Sequence, residues 1–150
     1  MKLAEALQER ADLNRRIQQL QQRLSNNAVV QEGEQPAEDP KELLIELDRS
    51  VLALEELVAR INLTNCHAQV SGESLTALLA RRDALKLKLS VYRDLAYNAS
   101  QLARRVTRTE IKILSAVNVK DVQGQADALA KELRLLDNTI QAANWTTELI

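Results

Sequence analysis

VKDVQGQADALAKELRLLDNTIQAA, Val119 to Ala143, sets Val119, Val122, Ala126, Leu129, Leu133, Leu136, Ile140 and Ala143 at alternating steps of three and four. Side chains at that spacing form one stripe along an α-helix, because seven residues come close to two helical turns. No polar residue interrupts the stripe. Asn118, with Asp121 three residues on, is placed to cap the helix. Gly124 is the one weak position, costing about 1 kcal/mol of helix propensity relative to alanine. A helix with so sharp an apolar stripe must lay it on a neighbour, so the rest of the chain is read for helices that could receive it.

Three more segments carry the same rhythm. From about Lys2 to Asn26, Leu3, Ala6, Arg10, Leu13, Ile17, Leu20 and Leu24 form a seam with one charged member. An arginine there needs an acidic partner or a way to solvent, and is a register device rather than a catalytic group. Asp39, Pro40 and Glu42 write the start of a second helix as cap, first helical position and first-turn acid. It is expected to run to about Leu63 on a seam of Leu44, Leu47, Val51, Leu54, Val58 and Ile61, widened by Leu43 and Leu57. A third helix, Ser74 to about Arg104, carries Leu75, Leu78, Arg82, Leu85, Leu89, Tyr92, Ala96, Ala99 and Ala103 on one line, with Leu79, Leu87, Val91, Leu95 and Leu102 on other faces. Two apolar faces imply burial on both sides, by the bundle or by a subunit contact.

The interruptions are equally legible. Ala28 to Pro40 holds both prolines and reads as a long loop, and Asn62 to Ser74 reads as a turn. Thr107 to Ile113 alternates β-branched residues with charge, which predicts a short β-like segment. A lone strand needs a partner, and Ala28 to Gln31 is the stretch available, within the chain or across a subunit boundary. Trp145, the only tryptophan, is expected to anchor the end of the last helix against the bundle.

Composition agrees with packed helices. Of 150 residues, 45 % are hydrophobic and only 2 % aromatic, with no Phe, so the apolar vocabulary is Leu, Ala, Ile and Val. It suits knob-into-hole seams and is poor in surfaces on which bases stack. The length is that of one domain, and residues 1–150 are read as a single helical domain. One cysteine, Cys66, excludes an internal disulfide and fits a reducing compartment. The charged N-terminal stretch is no signal peptide, and no run approaches the ~18 apolar residues of a membrane span, so a cytoplasmic, unanchored protein is expected.

Net charge is −1, but it is unevenly spread. Glu32 to Glu56 holds nine acids against two bases, a net of −7, while Arg81 to Lys120 holds ten bases against three acids, a net of +7. Segments so matched are expected to face each other, within the fold or between subunits.

Chemistry is sparse. His67 beside Cys66 points another way on a helix or turn, and no further His or Cys completes a zinc site. Glu32, Glu34 and Glu38, with His67, are the weak candidates for a hard cation, since oxygen ligands on a loop suit calcium or magnesium, but their spacing is not that of a calcium hand. No phosphate loop, nucleophile elbow or zinc-protease helix is present, and no cofactor is implied. Arg81, Arg82, Arg104, Arg105 and Arg108 form the basic side of a partner-binding surface, with Glu32 and Glu34 the acidic side. The basic run lacks the interleaved aromatics of a nucleic-acid surface.

VQEGEQPAEDP (Val30 to Pro40), INLTN (Ile61 to Asn65), SGESLTALLARRDAL (Ser71 to Leu85), TRTEIK (Thr107 to Lys112) and NWTTEL (Asn144 to Leu149) together resemble a family of small, functionally uncharacterised bacterial proteins, some of which carry the name septicolysin. The resemblance implies an all-helical, self-associating protein with no established activity.

The resulting expectation is an all-α protein of four long heptad-patterned antiparallel helices, as a bundle or as coiled-coil hairpins, with one short β-like segment near 107–113. Its expected function is non-catalytic: a homo-oligomerising interaction or scaffold module, with room for another protein partner. Two alternatives stand beside it, a metal-dependent or enzymatic site at a subunit boundary and nucleic-acid binding through residues 81–112.

Overall fold

The computed structural model describes residues 1–102 and 111–150. In chain order the elements are α1 (Leu3–Asn26), α2 (Pro40–His67), β1 (Gln69–Val70), β2 (Glu73–Ser74), α3 (Leu75–Ser100) and α4 (Val119–Thr146). The protein is therefore all-α, and its described residues form four long helices with a minimal two-stranded sheet. The helices group into two compact units, residues 1–70 with 143–150, and residues 71–142.

In the first unit, α1 and α2 form an antiparallel hairpin. Arg16 pairs with Glu46 at 3.7 Å and Arg23 with Glu38 at 2.5 Å, so the chain descends α1 and returns along α2. Leu3, Ala6 and Leu20 of α1 are buried, as are Leu43, Leu57 and Ile61 of α2. Each large aliphatic side chain so removed from water contributes about 1.5–3 kcal/mol.

The buried line of α2 differs from its predicted seam. It runs through Leu43, Ser50, Leu57, Ile61 and Thr64, while Leu44 and Val51 are exposed. Ser50 and Thr64 are compatible with burial because each hydroxyl donates to the carbonyl four residues back on its own helix. The distances are 2.8 Å from Ser50 Oγ to Glu46 O and 2.8 Å from Thr64 Oγ1 to Arg60 O. A polar residue that satisfies itself in this way costs a core little.

Residues 147–150 close the same unit. Leu3 N donates to Thr147 O at 2.9 Å and Leu149 N to Met1 O at 2.9 Å, forming an antiparallel bridge between Lys2 and Glu148. Ile150 N then donates to Thr64 Oγ1 at 3.0 Å, and Arg60 Nε to Ile150 O at 2.9 Å. Thr64 thus donates to its own helix and accepts from this tail.

Between α2 and α3 the chain turns through Ser71 and Gly72, with φ of 51° and 87°. That left-handed conformation is the one glycine adopts without steric cost, and it reverses the chain tightly enough to form β1–β2. Ser74 Oγ accepts from Ala77 N at 3.2 Å. This bond satisfies a first-turn amide and caps α3. In the second unit, Leu75, Leu78, Leu85, Leu89 and Ala96 of α3 are buried, and so are Val122, Ala126 and Ile140 of α4. These lie on the predicted seams of both helices. Leu95, Asn98 and Ala99 near the end of α3 line a groove with Ser115 to Val117 just ahead of α4, while Arg81 near the start of α3 lies close enough to Glu132 to feel its charge, so α3 and α4 run antiparallel. Asn118 Oδ1 accepts from Asp121 N at 3.2 Å, as the cap reading required.

The β structure lies in the Asn62–Ser74 region, which the sequence marks as a turn. Of the expected β-like segment, Thr107 to Glu110 is outside the described residues, and Ile111 to Ile113 has no regular structure. Ala28 to Gln31 is not a strand either. Its two valines are exposed, Val29 at 85 %. Trp145 is 54 % exposed rather than packed, since the buried line at that end of α4 passes through Ala143.

Candidate interaction surfaces

The loop carboxylates do not gather. Glu38 is held by Arg23, whose Nε donates to Oε2 at 3.0 Å and whose Nη2 donates to Oε1 at 2.5 Å. The guanidinium hydrogen bonds hold the Glu38 carboxyl below the usual carboxylate range and raise Arg23 in turn. Asn27 completes the clasp: its Nδ2 donates to Arg23 O at 2.8 Å and its Oδ1 accepts from Glu38 N at 3.0 Å. The loop is thus tied at its neck, with Glu32 and Glu34 exposed beyond. His67, at the end of α2, has Nδ1 2.8 Å from Leu63 O. A carbonyl can only accept, so Nδ1 donates and Nε2 is the atom left to meet other groups. Among the described residues, no three His, Cys, Asp or Glu side chains are grouped to hold a metal ion.

The basic candidates are distributed along α3. Arg81 forms a two-pronged pair with Glu73, at 3.0 and 2.6 Å. Those charge-assisted bonds pull Glu73 below the usual carboxylate range. Arg82 meets Asp83 at 3.2 Å. Lys88 lies over the Tyr92 ring, its ammonium 5.9 Å from the ring centre. At that separation the cation is attracted by the face of the ring. Arg104, Arg105 and Arg108 lie outside the described residues. Among the described residues, members of the two charged segments find partners within their own compact units: Arg16 for Glu46 and Arg23 for Glu38 in the first, Glu73 for Arg81 and Asp83 for Arg82 in the second.

Two exposed apolar faces are only partly legible in the sequence. On α3, Ala77, Ala80, Ala84, Leu87, Val91 and Leu95 follow one another at steps of three or four and all are exposed, Leu87 at 69 % and Val91 at 56 %. This second stripe lies opposite the buried line of Leu78, Leu85 and Leu89. The signal for it is in the three alanines, whose spacing continues that of the larger residues. On α2, Leu44, Ile45, Val51, Leu52 and Leu63 are exposed, in the sector opposite Leu43, Ser50 and Leu57. Asp48 and Glu55 stand among them, also exposed. Here the predicted seam puts Leu44 and Val51 inside, and the structure puts them outside. Such runs differ from the single exposed leucines that are ordinary on a protein surface.

No helix among the described residues is long and apolar enough to cross a membrane.

Residues 10–149 match the model of DUF6847, described as a family of unknown function, and the chain belongs to that family. It is similar to a solved structure from Corynebacterium diphtheriae, described as a functionally unknown conserved protein, at 43 % identity and a TM-score of 0.94, covering 100 % of this chain and 99 % of that one. Among curated proteins none matches. The likeness to small proteins of unknown function thus holds, and the name septicolysin does not accompany it.

Proposed function

We propose that this DUF6847 protein is a non-catalytic helical module that acts by binding copies of itself, and through them other proteins. The observation that carries the reading is the second stripe of α3, a coiled-coil-grade seam left facing solvent along the helix. A helix gains little by keeping such a stripe wet, since each buried methylene contributes about 0.8 kcal/mol. The exposed sector of α2 adds a second surface of the same kind. The finer likeness to septicolysins enters only through the self-association it implies, and brings no activity with it.

Light scattering across the micromolar range tests the reading. The expected mass is a multiple of 16.8 kDa that falls on dilution. A mass of one chain at about 100 μM would remove it, because interfaces built on exposed seams associate well below that concentration.

A further inference from the structure

The stripe on α3 leaves open what covers it. Two copies of α3 facing each other would bury it, but would leave the exposed sector of α2 bare and its acids without cations. The charges bordering the two faces suggest a better match. On α2, Asp48 and Glu55 stand within the apolar sector, seven residues apart in sequence. On α3, Arg81 and Lys88 border the stripe on one side and are likewise seven residues apart. Seven residues rise about 10.5 Å along a helix, so both charges of one face can meet both charges of the other in either direction. Lys88 has its ammonium over Tyr92, and Arg81 keeps further guanidinium donors beyond its pair with Glu73. Both residues are exposed and stand at the edge of the stripe, on the side where Lys88 also lines the groove to α4.

We infer that the α3 stripe of one copy is covered by the exposed α2 sector of a second copy, with Asp48 and Glu55 of one set against Arg81 and Lys88 of the other. The inference rests on the self-association proposed above. It assigns the partner surface: every copy carries both faces, so each copy can donate one and receive the other. Set antiparallel with Asp48 level with Lys88, Leu87 lies beside Val51 and Val91 beside Leu44 and Ile45, and the acids embedded in the α2 sector, a fault in a seam that pairs with itself, become the elements that choose the partner.

Reciprocity supplies the test. One variant carries Asp48→Lys with Glu55→Lys, a second carries Arg81→Glu with Lys88→Glu, and circular dichroism checks that both fold. Lys88→Glu alone serves where the loss of the Arg81–Glu73 pair unfolds the second. In sedimentation velocity at low salt, each variant by itself should dissociate at concentrations about tenfold or more above those of the parent protein, since like charges are then opposed. An equimolar mixture should return to within about threefold of the parent, because every contact in the mixed assembly has opposite charges facing. A mixture that stays as dissociated as its components, or an α2 variant that associates like the parent, overturns this pairing while leaving self-association standing. A parent protein that is monomeric throughout removes the underlying reading instead.

Discussion

Asn27→Ala should loosen the neck of the Ala28 to Asp39 loop by an amount the structure allows to be worked out. Asn27 is 8 % exposed and makes two side-chain hydrogen bonds, to Arg23 O at 2.8 Å and from Glu38 N at 3.0 Å. The Arg23 carbonyl keeps its bond from Asn27 N at 3.1 Å, so truncation there removes one of two donors. Glu38 N loses its acceptor outright. A donor left unsatisfied costs about 1–3 kcal/mol, and water can approach this half-buried amide, which selects the lower half of the range. The expected loss is therefore about 1–2 kcal/mol. Urea denaturation followed by far-ultraviolet circular dichroism should show a lower midpoint at unchanged slope. Because two compact units need not unfold together, amide exchange at Glu38 supplies the local reading, and its protection should fall. Asn27→Asp keeps the acceptor and should preserve that protection, although it sets a negative charge at a helix C-terminus. An Asn27→Ala protein with the parent midpoint and parent exchange at Glu38 would refute the hydrogen-bond argument.

Ile61 is 1 % exposed. Its replacement by alanine should cost about 2–5 kcal/mol by cavity formation, measured by the same denaturation, and Leu44→Ala on the same helix should cost far less. At Gly124 an added Cβ meets no atom within 4 Å. Gly124→Ala should therefore stabilise by about 0.4–1 kcal/mol, and a lowered melting temperature would count against it. Gly72→Ala should destabilise instead, because its φ of 87° disfavours any side chain even though the space is open. Glu38, Glu73 and Glu148 are each held below the usual carboxylate range, chiefly by hydrogen bonds from Arg23, Arg81 and Lys2. A folded-state pKa below the unfolded one adds stability above the ordinary carboxylate range and loses it as pH falls through the lowered values. Thermal stability should therefore decline on acidification through that range, and Glu148→Gln should flatten part of the decline.

The helices are readable because their signals are local. Asp39 and Pro40 for α2, Asn118 for α4, and the stripe from Val119 to Ala143 each act within a few residues of one another, and periodicity does the rest. Which face of a doubly apolar helix turns inward is a different question. On α2 two leucine-rich lines compete, and the winner includes Ser50 and Thr64, whose polarity argues against burial until their bonds to Glu46 O and Arg60 O are seen. The hairpin at Gln69 to Ser74 reads as a turn only, since two-residue strands leave no periodicity to detect. The candidate surfaces are half legible. The charge imbalance stands in the sequence, but exposure of the α3 stripe depends on what else the chain packs against it, and no local pattern carries that.

The bridge between Lys2 and Glu148 has a bearing on how the protein is made. The unit that begins with Met1 includes residues 143–150, so a ribosome has delivered all of α3 and most of α4 before that unit receives its last piece. Until then the α1–α2 hairpin lacks the donor that Ile150 N brings to Thr64. Contacts spanning so much sequence form late, because the intervening loop must first be closed. The order of assembly is thus inverted relative to the order of synthesis: the middle of the chain can close before the unit that was begun first.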